Sequence, residues 1–155
     1  MTDYVRGSSS YTRLEIHLAF KVKYCHRVFD IPDFRKRCEQ IFREVGAKEQ
    51  VVIEEMGFDG DHVHMSWLMK VYHRADLLSK AFKGTSGRKL LREFPAIKRQ
   101  YFWGSGLWSG VIFCDSMGKD PDAMKTYVRN QGKKPKDQRT VAEYLAGSCH
   151  QSIAS

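Results

Sequence analysis

The chain of 155 residues has the length of one ordinary domain, and a hydrophobic content of 42% is enough for a core without disulfide or metal staples. Its formal net charge of +8 indicates a surface that attracts polyanions, of which nucleic acid is the most common, although such a charge also serves solubility. No apolar run is long enough to span a membrane or form a signal peptide, so we expect a cytoplasmic protein.

The N-terminal part of the sequence predicts a flexible segment, a strand and a helix. Residues 1–10 include a serine run and are expected to be flexible. Apolar and polar residues then alternate over residues 14–21, which predicts a strand. Apolar residues at helical spacing follow, with Asp30 as the expected N-cap and Gly46 as the expected end of the helix.

A strand pair is predicted next. Residues 51–53 form a short β-branched run, and the sequence M-G-F-D-G at residues 56–60 has the glycine and aspartate of a tight connection. The run over residues 62–69, in which Val63, Met65 and Trp67 alternate with polar residues, then predicts a returning strand. Together these segments predict an antiparallel hairpin.

The second half of the chain predicts two helical pieces, a strand and a last helix. Residues 74–82 suit a helix that ends at Gly84, and residues 85–94 suit a second piece that Pro95 closes. Residues 111–114 form the last strand candidate. Asp120 has N-cap chemistry for a helix that runs to about Gln131.

The order β-α-β-β-α-β predicts an α+β fold of the ferredoxin-like split β-α-β type, in which the helices cover one face of an antiparallel sheet. The last helix would be added at the C-terminal side and would carry a tyrosine. One domain is expected over residues 11–131, followed by a basic linker and tail over residues 132–155.

Two histidines on the third predicted strand form an H-x-H pattern. Residues two apart on a strand point to the same face, so the imidazoles of His62 and His64 would lie side by side as two metal ligands. The alternative interpretation is a pair of half-exposed strand histidines without a function. Asp61 precedes the pair and suits either orientation of a histidine or capping of its own turn.

Tyr127 and Gln131 are four residues apart on the last predicted helix and therefore share one of its faces. An amide oxygen can complete a metal site, and a phenol beside a metal can act as a nucleophile. A tyrosine on an amphipathic helix is, however, most often a packing residue. Mixed nitrogen and oxygen ligation would suit manganese, magnesium, cobalt or zinc.

A cationic stretch surrounds the glycines, threonine and serine of residues 84–87 and predicts a face that binds DNA phosphates. Its cations could instead be ordinary solvated residues of a helix. Trp103 and Trp108 could stack on unpaired bases, although packing in the core is the more common role of tryptophan. The predicted DNA-binding residues are Lys80, Lys83, Arg88, Lys89 and Arg92.

Several of these segments, in this order, resemble the single-stranded-DNA transposases of the insertion-sequence 200/605 family, also called single-tyrosine HUH transposases. The resemblance covers about residues 14–131. The segments are E-I-H-L-A-F-K-V-K-Y (15–24), D-H-V-H (61–64), K-G-T-S-G-R (83–88), E-F-P-A-I-K (93–98), W-G-S-G-L-W-S (103–109) and Y-V-R-N-Q (127–131).

The resemblance implies that His62, His64 and Gln131 bind a divalent metal, Mg²⁺ or Mn²⁺ in the first place, and that Tyr127 forms a 5′-phosphotyrosine. It also implies a homodimer with composite active sites that recognises DNA hairpins near the element ends and moves a single-stranded element. The alternative is a domesticated relative that binds hairpin DNA without transposing. A small β-barrel dioxygenase built on H-x-H is disfavoured by the predicted helices.

Overall fold

A four-stranded antiparallel sheet with helices on one face dominates the structure, a computed structural model that describes residues 5–116. The predicted helix with Tyr127 and Gln131 and the predicted tail lie outside the described residues. In chain order the elements are β1 (Val5–Arg6), β2 (Tyr11–Thr12), β3 (Leu14–Val22), α1 (Pro32–Glu49), β4 (Val52–Asp59), β5 (His62–Met69), α2 (Ala75–Glu93), α3 (Pro95–Tyr101) and β6 (Trp108–Ser116).

The strands of the main sheet follow the order β4-β5-β3-β6, so β5 and β3 are the central pair. Helices α1 and α2 pack on one face of it. Phe20 of β3 contacts Phe42 of α1, and Trp67 of β5 contacts Phe82 of α2, with ring centroids 6.0 and 4.5 Å apart. These contacts confirm the predicted α+β architecture with a split β-α-β order.

The first helix is longer than predicted at its C-terminal end. It continues through Gly46 and ends before Gln50, whose φ of 59° is left-handed. Gly46 allows a close approach, because an added Cβ would lie 3.2 Å from the side chain of Ile53 in β4. The predicted N-cap is also wrong, since Asp30 instead accepts a hydrogen bond of 2.8 Å from the guanidinium of Arg27.

The hairpin connection lies later in the chain than predicted. Strand β4 extends to Asp59, and only Gly60 and Asp61 form the turn before β5. Met56 and Phe58 pack against the hydrophobic core, which extends the strand through residues that look like a turn in the sequence. The predicted returning strand at residues 62–69 is confirmed without change.

The two predicted helical pieces of the second half are one continuous helix, α2. Gly84 does not end it, because a glycine inside a helix costs only about 1 kcal/mol, which packing elsewhere offsets. An added Cβ at Gly87 would lie 3.5 Å from the side chain of Trp108, so this glycine allows β6 to approach the helix. The helix ends at Glu93, because Pro95, which begins α3, disfavours helical backbone at the preceding Phe94.

The N-terminal segment that was expected to be flexible is paired where the structure describes it. Val5–Arg6 and Tyr11–Thr12 form a two-stranded antiparallel ladder outside the main sheet. Over the described residues, no helix has the length and apolar character needed to cross a membrane.

Candidate active site and nucleic-acid interface

The face of the sheet that points away from α1 and α2 carries the two histidines of β5. His62 and His64 are 4% and 0% exposed, so the expectation of half-exposed strand histidines does not describe them. Strand β3 contributes His17 and Lys21 to the same face, and Lys21 is paired directly opposite His62. The sheet thus gathers polar, titratable side chains on a buried surface.

The two imidazoles of the H-x-H pair are close neighbours. Their ring centroids are 4.5 Å apart and their planes cross at 81°. Within residues 5–116, His62 Nε2 and both ring nitrogens of His64 are buried without a hydrogen-bond partner. Burial of an unsatisfied polar atom is costly, and a metal ion bound to the ring lone pairs would remove that cost. The pair therefore fits a divalent metal as two nitrogen ligands.

The surroundings of His64 keep its imidazole neutral. Burial lowers the pKa of His64 to about 2, and the nearby His62 and His17 act in the same direction. The ring of His17 is stacked on that of His64 at a centroid distance of 5.7 Å. Because a histidine binds a metal only in its neutral form, His64 is ready for ligation at physiological pH.

Asp61 is placed to orient the first histidine. Its Oδ1 lies 2.6 Å from Nδ1 of His62, and its Oδ2 lies 3.8 Å from Nζ of Lys21. Burial raises the pKa of Asp61, but the hydrogen bond with His62 and the charges of His62 and Lys21 outweigh burial and leave the pKa lowered. A carboxylate that accepts from Nδ1 leaves the lone pair of Nε2 free for a metal.

Sequence reasoning missed two further polar side chains near the pair. Asp59, the last residue of β4, has a carboxylate oxygen 3.8 Å from Nε2 of His62. Lys21 was recoverable from the alternation of β3, which places residues 17, 19 and 21 on one face. In the described part of the chain no group of three or more His, Cys, Asp and Glu side chains is placed to hold a metal ion.

A basic groove of about 750 Å³ lies between α2 and the start of β6. Lys98 of α3 also lines it, a residue that sequence reasoning did not select. Lys89 does not, because its ammonium lies 3.4 Å from the carboxylate of Glu44 on α1. The groove brings together four of the five predicted DNA-binding residues, Lys80, Lys83, Arg88 and Arg92.

Lys83 differs from the other cations of the groove. Its Nζ donates to the backbone carbonyl of Ser109 at 2.5 Å and, less closely, to that of Val111, and burial lowers its pKa. Lys83 therefore supports the start of β6. Among residues 5–116, no carboxylate forms an ion pair with the remaining cations of the groove, which are Lys80, Arg88, Arg92 and Lys98.

The two tryptophans of the glycine-rich loop have different surroundings. Trp108 is buried, and its Nε1 donates to the hydroxyl of Ser86 at 2.9 Å, so it packs in the core. Trp103 is 80% exposed and remains available for stacking on a base. The proposed nucleophile Tyr127 and the third ligand Gln131 lie outside the described residues, so both stay predictions.

Comparisons with known proteins agree with one another. The family model described as "Transposase IS200 like" matches residues 10–131. The ISDra2 transposase TnpA of Deinococcus radiodurans is 29% identical over 130 residues, which cover 83% of this chain and 91% of that protein.

Solved structures of the same architecture exist. A crystal structure described as a transposase of Deinococcus radiodurans superposes with a TM-score of 0.67 at 26% identity, covering 82% of this chain and 97% of that one. A REP-associated tyrosine transposase bound to a REP hairpin gives a TM-score of 0.57 at 9% identity, covering 83% and 73% of the two chains. The second likeness concerns the fold alone.

Proposed function

The chain belongs to the IS200-like transposase family, and from this premise we propose that it cleaves and rejoins single-stranded DNA at insertion-sequence ends through a tyrosine–DNA intermediate. Tyr127 is the proposed nucleophile. The observation that carries the proposal is the buried pair of His62 and His64, in which Nε2 of His62 and both ring nitrogens of His64 lack hydrogen-bond partners within residues 5–116.

The proposed metal site consists of His62, His64 and Gln131, with Asp61 behind His62. A bound Mg²⁺ or Mn²⁺ would act as a Lewis acid on the scissile phosphate. The contribution of the chain itself is to hold the two imidazoles in place, since burial keeps His64 uncharged and Asp61 accepts a hydrogen bond from Nδ1 of His62.

The proposed covalent step is an exchange of one phosphate ester for another. The phenolic oxygen of Tyr127 attacks the phosphorus as the phenol gives up its proton to solvent, and the bond from phosphorus to the 3′-oxygen breaks. The leaving 3′-oxygen takes up a proton from solvent, so the strand leaves with a free 3′-hydroxyl. Because the 5′-phosphotyrosine is itself a phosphodiester, a 3′-hydroxyl can attack it later and rejoin the DNA without an external energy source.

The basic groove between α2 and β6 is the proposed contact surface for subterminal DNA hairpins. Four cations without ion pairs in the described part of the chain line it, and phosphate contacts of this kind position a protein on nucleic acid. A structural neighbour of this fold is bound to a REP hairpin, which supports hairpin DNA as the substrate class. Exposed Trp103 is proposed to stack on an unpaired base.

A covalent adduct tests the proposed chemistry. The full chain, incubated with a labelled single-stranded element end and Mn²⁺, should form a protein–DNA species that resists denaturation. Tyr127→Phe should form none, whereas Tyr72→Phe, a change at an exposed tyrosine, should form as much as wild type. Hairpin binding without any adduct in the wild-type protein would instead establish the binding-only alternative.

A homodimer with composite active sites is also proposed, and complementation tests it. Mixed dimers of His64→Ala and Tyr127→Phe contain one intact site only if the tyrosine of one subunit serves the histidines of the other. Mixing the two inactive proteins should therefore restore cleavage. Continued inactivity of dimers shown to have exchanged subunits would indicate that each subunit uses its own tyrosine.

A further inference from the structure

A buried lysine faces the histidine pair. Lys21 is 3% exposed, although lysine is almost never fully buried unless it is paired. It lies on β3 directly opposite His62 of β5, on the face of the sheet that carries both histidines. Residues directly opposite on antiparallel strands have neighbouring side chains, so the ammonium belongs to the immediate surroundings of the site.

One carboxylate connects the lysine to the histidine. Nζ of Lys21 lies 3.8 Å from Oδ2 of Asp61, and Oδ1 of the same carboxylate lies 2.6 Å from Nδ1 of His62. The first distance is that of an ion pair and the second that of a hydrogen bond. The side chains of Lys21 and Asp61 are only 4% and 17% exposed, so solvent screens their attraction weakly.

Asp61 needs such a contact because it lies in the two-residue turn between β4 and β5. An aspartate at a turn has competing partners, as Asp59, the last residue before this turn, shows by accepting a hydrogen bond from the backbone of Gly60 at 2.8 Å. The ammonium that lies near the Asp61 carboxylate belongs to β3 and is on the same face of the sheet as His62.

We propose that Lys21 is a positioning residue of the metal site: through Asp61 it holds His62 in the tautomer that presents Nε2 to the cation. The inference rests on the proposed metal-binding role of His62 and His64. It assigns a function to a residue of β3 that neither ligates the metal nor needs to contact DNA.

The competing expectation is that Lys21 weakens metal binding. An ammonium that acted only through its own charge would repel a metal ion, and its removal would tighten metal binding. If the lysine acts through Asp61, its removal should weaken metal binding instead, because the freed carboxylate no longer holds His62 firmly. The sign of the change in metal affinity therefore separates the two.

Calorimetric titration of the full chain with Mn²⁺ measures that sign. Lys21→Met should bind Mn²⁺ about 10-fold more weakly, the lower end of the range for residues behind a metal ligand, and Lys21→Arg should restore most of the affinity. Lys23→Met is the matched control, since Lys23 is a half-buried lysine two residues further along. It should bind as wild type does.

Nitrogen NMR of the metal-free protein gives a readout independent of the metal. The His62 ring should carry its proton on Nδ1 in wild type and become a mixture of tautomers in Lys21→Met. In an Asp61→Asn background the lysine substitution should cause no further loss of Mn²⁺ affinity, because both changes break the same connection. If Lys21→Met does not fold, Lys21→Gln, which keeps a polar side chain, replaces it in both measurements.

Unchanged or tighter Mn²⁺ binding without Lys21, or an unchanged His62 tautomer, would overturn the inference. A failure of the metal site itself has a different signature. In that case wild type and His62→Ala would take up Mn²⁺ equally, and the NMR measurement alone would decide the role of Lys21.

Discussion

Alanine in place of Gly84 should stabilise the protein. Gly84 lies inside α2, and a Cβ added there would meet no atom within 4 Å. Alanine is favoured over glycine in a helix interior by about 1 kcal/mol, and it also reduces the conformational freedom of the unfolded chain. With no clash to offset this gain, we expect the free energy of unfolding to rise by about 0.5–1 kcal/mol.

The same substitution at Gly46 is the matched control. There the added Cβ would lie 3.2 Å from the backbone oxygen of Val51 and 3.2 Å from the side chain of Ile53. A backbone oxygen cannot turn away, so the crowding should cancel the helical gain or exceed it. Gly46→Ala should therefore be less stable than Gly84→Ala, although both glycines are helical.

Urea unfolding followed by circular dichroism measures the free energy of unfolding of both variants. In thermal unfolding, the gain of Gly84→Ala should appear as a rise in Tm of about 2–4 °C per kcal/mol. Gly84 also lines the basic groove, so its new methyl group should weaken hairpin binding while it stabilises the fold. A destabilised Gly84→Ala, or equal gains at the two positions, would refute the packing argument.

Two further substitutions test the groove and its support. Arg92→Ala should reduce the steepness of log affinity against log salt concentration by about 0.9 for each duplex phosphate that the arginine neutralises. Lys89→Ala is the control and should keep the wild-type slope, because Lys89 is paired with a carboxylate. Equal slopes for wild type and Arg92→Ala would remove that arginine from the interface. Ser86→Ala should lower the free energy of unfolding in urea by about 1–3 kcal/mol, because it leaves the buried Nε1 of Trp108 without its acceptor. A smaller loss would mean that the indole finds another partner.

The strand that carries the histidines was predictable because its pattern is local. Residues 62–69 alternate, and β5 has the same bounds in the structure. The order of the elements followed from similar local patterns. The helix ends predicted from glycines were wrong, because Gly46 and Gly84 lie inside helices. Packing offsets the helical cost of glycine there, and no local sequence pattern records that packing.

Contacts between distant segments could not be predicted. The sequence assigned no role to His17 or Lys21, yet both are buried, and the register of β3 against β5 brings them to the face of the histidine pair. Lys89 was grouped with its neighbours in sequence, whereas helical geometry turns it towards Glu44. The roles of Tyr127 and Gln131 stay predictions.

The division of the candidate site between two strands has a consequence for its dynamics. Asp61 and His62 belong to the β4–β5 hairpin, while Lys21 belongs to β3, and the amide of Val22 bonds to the carbonyl of Asp61 at 2.8 Å. Because pairing between segments so distant in sequence costs more loop-closure entropy, we expect it to form after the local hairpin. Any opening that detaches β3 would take the site apart. A bound metal should therefore slow amide hydrogen exchange in β3 and β5 together, as one cooperative unit.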